Sequence, residues 1–184
     1  MYLPLYMQNR IINLINTEHS LVKPLQAALS FAKSSDNEKL YAWALSELNG
    51  YQDNSEVPHY RHIKSTIQGV IKKDGHFQSV SSLPLWYFGE IERSLTEKVF
   101  FNDIAALEYL FHAAYNNVLI KTFPQDYCLN LTEKAHLNGY DLEVKSCREF
   151  VALKDIAGIL TTIKARLINF IQPVSNAHPD VMVA

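Results

Sequence analysis

The sequence lacks the cysteine patterns that mark metal centres and disulfide scaffolds. Its 184 residues contain two cysteines, Cys128 and Cys147, without the C-x-x-C spacing of a zinc or redox site. Two isolated cysteines also argue against a disulfide-rich secreted domain, because such domains carry several cysteine pairs. We therefore expect two ordinary cytosolic thiols.

No charge of one sign dominates, and no long apolar run occurs. The 17 Lys+Arg and 19 Asp+Glu give a formal charge of -2, so nucleic-acid binding is unsupported, since domains that bind phosphate backbones usually carry excess positive charge. No apolar run approaches the ~20 residues that span a bilayer, and the N-terminus lacks the pattern of a signal peptide. We expect a cytoplasmic protein with no membrane association.

What is present is the composition of a globular protein. The chain is 48% hydrophobic and 20% charged, which is typical of a domain with a packed core. Its length fits one domain. We predict a single domain over residues 1–173, where Pro173 stops the last helix, and a flexible C-terminal tail over 174–184.

Apolar spacing predicts helices at both ends of the chain. The first ends near Asn16, and the second begins at a Ser20 cap and runs to about Lys33. The third begins at a capping box of Ser35 and Glu38, carries an apolar stripe and ends at Asn49-Gly50. That stripe comprises Leu40, Tyr41, Ala44, Leu45 and Leu48. The second and third should form an antiparallel hairpin, since few polar residues join them.

The remainder predicts a small antiparallel sheet and further helices. Asp74-Gly75 is a preferred two-residue hairpin turn and should join a strand over 60–71 to one over 77–80. A helix capped by Asn102, a second ending at Asn138-Gly139 and a strand over 140–147 follow. The longest helix should run from near Phe150 to Gln172, with Gly158 allowing a close approach to another element. The fold class is therefore α+β, predominantly α-helical, with a helical hairpin and a long C-terminal helix packed with a small antiparallel β-sheet.

No motif in the sequence predicts a reaction. Seven histidines invite a metal hypothesis, but His59 and His62 would point to opposite faces of a strand and no acidic pair completes a site. No nucleophile lies in a glycine elbow, and no glycine loop cradles a phosphate. We predict no metal, no cofactor and no catalytic residues.

Two groups of side chains could nevertheless bind something. Glu47, Asn49, Tyr60 and Arg61 could line a polar pocket, because arginine's planar fork binds carboxylates and phosphates. Packing, the helix end and an ion pair between Arg61 and Glu47 explain the same residues without a ligand, and we prefer that interpretation. The aromatic runs over 86–88 and 100–101 favour core packing over base stacking, and any exposed ring would mark a protein contact.

One stretch resembles the AbiTii domain of bacterial phage-defence proteins. The similarity covers about Leu21 to Arg61: a helix with Leu25, Ala28 and Ala32, then a run of residues at matching offsets, and it is weaker in the final helix over 156–172. The run comprises Leu40, Trp43, Glu47, Leu48, Asn49, Gly50 and Tyr51, followed by Pro58, Tyr60 and Arg61. Trp43, Leu48, Gly50, Tyr51 and Pro58 form its structural part, and Glu47, Asn49, Tyr60 and Arg61 its candidate binding part.

The resemblance implies a bacterial, cytoplasmic protein of an abortive-infection system that confers phage resistance. It implies a module that acts by protein-protein interaction or oligomerisation, with a companion defence protein, a phage component or a second copy as partner. The alternative is a toxic nuclease or nucleotide hydrolase with its pocket near Glu47, Asn49, Tyr60 and Arg61. The resemblance supplies no catalytic residue, so the interaction module is preferred and enzymatic activity stays open.

Overall fold

The computed structural model describes residues 3–54, 56–91, 95–114 and 116–172. They fall into two compact units, one containing the residues up to Asn49 and from Thr162 onward, the other Gly50–Thr161. The single domain predicted from the sequence stays a prediction, and the predicted tail over 174–184 lies outside the described residues. No helix among the described residues is long and apolar enough to cross a membrane.

The first unit consists of helices. Its elements are α1 (Leu3–Thr17), α2 (Val22–Ser34), α3 (Glu38–Asn49) and the last part of the longest described helix, α6 (Leu153–Ile171). Helix α2 packs along α1 and α3, as the predicted hairpin requires. The fully buried apolar side chains of the unit include Ile11, Leu25, Ala28, Leu40, Ala44, Ile163 and Leu167.

Two predicted details of α3 are wrong, namely the residue that caps it and one residue of its buried face. The hydroxyl of Ser35 does not cap α3, because it donates back to the Phe31 carbonyl at 2.9 Å and so closes α2. Asn37 caps α3 instead, accepting from the Leu40 N–H at 3.0 Å. The buried face of α3 is formed by Leu40, Ala44 and Glu47, whereas Leu45, expected in the apolar stripe, is 37% exposed.

The second unit is built on antiparallel strands. A two-stranded sheet pairs β1 (His62–Lys64) with β4 (Glu97–Val99). A four-stranded sheet has the order β3-β2-β6-β5. Its strands are β2 (Thr66–Lys73), β3 (His76–Val80), β5 (Val118–Thr122) and β6 (Leu142–Ala152). The α+β, predominantly helical class predicted from the sequence is therefore confirmed.

The hairpin predicted at Asp74-Gly75 is present. Asp74 and Gly75 have φ values of 49° and 81°, the left-handed conformation that a two-residue turn of this type requires. The turn pairs Lys73 with His76 and sets the register of β2 against β3. Strand β3 therefore forms one edge of the four-stranded sheet.

The second unit also contains helices. They are α4 (Ile104–Ala113), α5 (Gln125–Leu137) and the first part of α6, and two 3₁₀ segments lie at His59–Arg61 and Leu85–Ile91. Helix α5 packs on β6. The shared core includes Ile67, Ile71, Phe88, Cys128, Leu131, Leu142, Val144 and Cys147.

Three predicted positions in this unit differ from the structure. Asp103 caps α4, accepting from the Ala106 N–H at 2.8 Å, where Asn102 was expected to do so. Strand β6 continues to Ala152 because β5 pairs with its last residues, so α6 begins at Leu153 and not near Phe150. Gly158 allows no close approach, since a Cβ added there would meet nothing within 4 Å.

Candidate functional site

Arg61, in the second unit, is the largest completely buried side chain among the described residues, with 0% exposure. The chain reaches it through Pro58, whose φ of -64° and ψ of 147° hold the backbone extended before the 3₁₀ turn His59–Arg61. The Arg61 N–H donates to the Pro58 carbonyl at 2.9 Å. The Pro-x-Tyr-Arg part of the motif thus forms a turn whose last residue points inward.

The guanidinium of Arg61 binds backbone carbonyls from a distant part of the sequence. Its Nη1 donates to the carbonyl of Phe100 at 3.0 Å and to that of Asn102 at 2.6 Å. The Phe100 N–H donates in turn to the Arg61 carbonyl at 3.1 Å. The guanidinium carbon also lies 4.8 Å from the centre of the Tyr51 ring, a distance at which cation and ring attract.

The helix-stop residues of the motif meet the same segment. The Tyr51 N–H donates to the Phe101 carbonyl at 2.9 Å. Gly50 has a φ of +79°, and a Cβ added there would lie 2.7 Å from that carbonyl oxygen. Only glycine satisfies both the conformation and the close approach. We name the contact of residues 50–51 and 58–61 with residues 100–103 the Arg61 clamp.

The four candidate binding residues are divided between the two units. Tyr60 is half-buried and Arg61 buried in the second unit, whereas Glu47 is buried and Asn49 exposed in the first. Glu47 is 0% exposed, and a buried carboxylate requires a polar partner. The pocket that would combine Glu47, Asn49, Tyr60 and Arg61 stays a prediction.

The remaining motif residues take packing positions. In the first unit, the Trp43 ring lies 5.2 Å from the Phe170 ring and 6.0 Å from the Arg166 guanidinium carbon, and Leu48 is half-buried. Tyr51 is buried in the second unit. The architectural interpretation of Trp43, Leu48, Gly50, Tyr51 and Pro58 stays a prediction.

Sequence reasoning missed the other half of the Arg61 clamp. The groups at residues 100–102 that bind Arg61 and Tyr51 are backbone carbonyls, which every residue carries and no motif reveals. The one local signal is Asp103, a good helix-capping residue that fixes where the extended segment ends and α4 begins.

The two cysteines are closer than their sequence separation suggested. Their Sγ atoms lie 3.5 Å apart, and both thiols are free and buried. Burial, with the neighbouring Cys128 thiol as a second cause, raises the pKa of Cys147 to about 12. The Cys147 thiol therefore remains neutral and poorly nucleophilic near pH 7, because the thiolate is the reactive form.

The aromatic run over 86–88 divides between core and surface. Tyr87 and Phe88 are 9% and 1% exposed, as predicted for core residues, whereas Trp86 is 65% exposed. Tyr87 joins Trp86 to Tyr140, with ring centres 5.5 Å and 4.6 Å away. Leu137, at the end of α5, is 80% exposed and precedes Asn138, whose side chain donates to the Tyr87 carbonyl at 3.0 Å. We name Trp86 and Tyr140 the aromatic patch.

The histidines form no metal centre in the part of the chain that the structure describes, where no three His, Cys, Asp or Glu side chains come together as ligands. His59 and His62 have ring centres 5.9 Å apart. The Nδ1 of His62 lies 3.0 Å from a Glu97 carboxylate oxygen, an ordinary cross-strand pair between β1 and β4.

Comparison with known proteins identifies one family. The family model described as AbiTii matches residues 9–182, nearly the whole chain. No curated protein and no solved structure matches this chain.

Proposed function

This chain belongs to the AbiTii family, and we propose that it is an interaction module that acts by binding a protein partner or by oligomerising. Membership of the family suggests an abortive-infection role in phage defence. The proposal concerns how that role is carried out.

The observation that carries the proposal is the burial of Arg61. A group that reacts with or binds a substrate must be reachable, but this guanidinium is fully buried and donates to two backbone carbonyls. Its arrangement is that of a structural cation, which holds the motif residues 50–61 against residues 100–103. The motif then fixes architecture, and the protein acts through its surface.

The aromatic patch supports a protein contact. Trp86 and Tyr140 are 65% and 39% exposed, and patches of large apolar side chains on a surface mark binding sites. Tryptophan and tyrosine are also the residues that most often dominate interface energies. The proposed partner is a companion defence protein, a phage component or a second copy of this chain.

The test is purification of the tagged chain from its native host before and after phage infection, with mass spectrometry and light scattering of what is recovered. We expect a stoichiometric protein partner or a defined oligomer. Trp86→Ala should weaken the association at least tenfold, about the effect of losing an interface tryptophan. Tyr109→Ala, which removes a 72%-exposed ring elsewhere, is the matched control. A monomer that recovers no protein would refute the proposal.

The alternative is a toxic nuclease or nucleotide hydrolase at Glu47, Asn49, Tyr60 and Arg61. Tyr60→Phe tests it without removing a buried charge. Defence that is undiminished in a folded Tyr60→Phe variant, together with an inert wild-type protein in nuclease and nucleotide-hydrolysis assays, would exclude this function.

A further inference from the structure

The face of the four-stranded sheet opposite α5 carries described side chains that do not belong to its core. Residues directly opposite each other in a sheet share a face. Val70 lies opposite Ser79 on one side and Ser146 on the other. These three small side chains form a row across β3, β2 and β6, which we name the serine trough.

Larger side chains border the trough on both sides. Gln68 lies opposite Arg148 in one neighbouring row, and Lys72 lies between Phe77 and Glu143 in the other. Adjacent rows are about 7 Å apart, two residues along a strand. The result is a depression of about 250 Å³ lined by Gln68, Val70, Ser79, Ser146, Arg148 and Phe150. It lies entirely within the second unit.

The charge around the trough is positive although the whole chain is slightly acidic. Lys72 binds Glu143 at 3.0 Å, and Lys145 binds the same carboxylate. Hydrogen bonds from Lys145 and Lys72 lower the pKa of Glu143, so this group is a carboxylate at neutral pH. Arg148 is exposed and makes no ion pair with any of the described residues. Two of the three cations are therefore bound to the one carboxylate, and Arg148, in the row on the other side of the trough, remains available.

The chemistry of the trough fits a phosphate group. A guanidinium binds two phosphate oxygens through its planar fork, and the hydroxyls of Ser79 and Ser146 can donate to the others. Phe77, in the next row, is 68% exposed and offers a ring on which a base can stack. An exposed sheet face cannot enclose a small ligand as a pocket does. A single strand of nucleic acid does not need to be enclosed, because it is long enough to extend across the face.

We propose that this face binds single-stranded nucleic acid, with a backbone phosphate held by Arg148 and the hydroxyls of Ser79 and Ser146 and a base stacked on Phe77. The site goes beyond the proposed interaction module and uses none of the aromatic patch. Few cations take part, so binding is modest and weakens as salt rises from about 50 to about 200 mM.

The test is fluorescence anisotropy of the full chain with labelled single-stranded RNA and DNA of about 12 nucleotides, a length within the usual site sizes. Arg148→Ala should weaken binding about tenfold or more, the effect of losing a charge-assisted hydrogen bond. Ser146→Asp places a carboxylate in the trough and should abolish binding. Both positions are exposed, so the fold should tolerate the changes, and thermal unfolding checks this.

Arg10→Ala is the matched control, because it removes an exposed arginine from α1 and changes the net charge equally. It should bind like the wild-type chain. The proposal is overturned if neither strand binds, or if Arg148→Ala and Arg10→Ala weaken binding equally. It is also overturned if inorganic phosphate or a mononucleotide displaces the strand at equal phosphate concentration, since the ligand would then be a free phosphate group.

Discussion

Replacing Arg61 by methionine tests the Arg61 clamp most directly. Methionine keeps an unbranched apolar side chain and removes the guanidinium. Loss of the buried hydrogen bond to the Phe100 carbonyl should lower the free energy of unfolding by about 1–3 kcal/mol, because the carbonyl is left unsatisfied. The Asn102 carbonyl is only partly buried, so water can replace part of that bond, and loss of the attraction to Tyr51 costs about 1–2 kcal/mol. The guanidinium no longer has to be desolvated, which offsets part of the loss. We expect a net loss of about 3 kcal/mol.

Urea and thermal unfolding measure this loss. A chain of this size loses about 2–4 °C in Tm per kcal/mol, so Arg61→Met should lower Tm by about 6–12 °C. Arg148→Met makes the same chemical change at an exposed position and should stay within about 0.5 kcal/mol of the wild-type chain. If Arg61→Met costs less than about 1 kcal/mol, the energetic argument from hydrogen bonds fails. If it abolishes defence while stability is unchanged, the architectural interpretation of Arg61 is refuted.

Two further predictions concern α6 and the buried thiols. Gly158→Ala should stabilise the protein by about 1 kcal/mol, because a Cβ at this helical position meets open space. Gly75→Ala is equally open but has a φ of +81°, so it should destabilise the protein by about 1–2 kcal/mol. Urea unfolding compares the two variants, and equal effects would contradict the argument. Burial raises the pKa of Cys147 to about 12. At a pH above the ordinary pKa of a thiol, the native protein therefore binds more protons than the unfolded chain. This stabilising contribution is full below pH ~9 and is lost as the pH rises toward 12. A shallower decline of unfolding free energy over that range in Cys147→Ala would confirm this contribution. No thiol reagent should label Cys147 in the native protein at pH ~8, because this thiol is buried and neutral; rapid native labelling would contradict the argument.

Local signals in the sequence predicted the turns and helix ends that depend on a few adjacent residues. Asp74-Gly75 places the hairpin because few dipeptides adopt its left-handed conformation at low cost. Asn138-Gly139 ends α5 for a similar reason, with Gly139 at φ 83°. The cap of α3 was predicted wrongly, because Ser35 and Asn37 compete for one position and the Ser35 hydroxyl can serve either helix.

Features that depend on distant partners could not be predicted. Strand β5 is defined by its pairing with β6, and its own sequence of five residues is too short to specify an edge strand. The same limit applies to the Arg61 clamp, where the arginine is visible in the motif but its acceptors are main-chain groups. The serine trough has no linear signal, because its three members come from three strands.

The sequence distances spanned by the Arg61 clamp also affect how the protein is made. The guanidinium of Arg61 binds carbonyls 39 and 41 residues further along the chain. During synthesis the N-terminal motif is therefore complete long before the residues that hold it exist. Until the chain has been extended past Asn102, this arginine stays hydrated and the turn after α3 lacks its long-range support. The turn at residues 58–61 thus gains these long-range hydrogen bonds only when the middle of the protein has been translated.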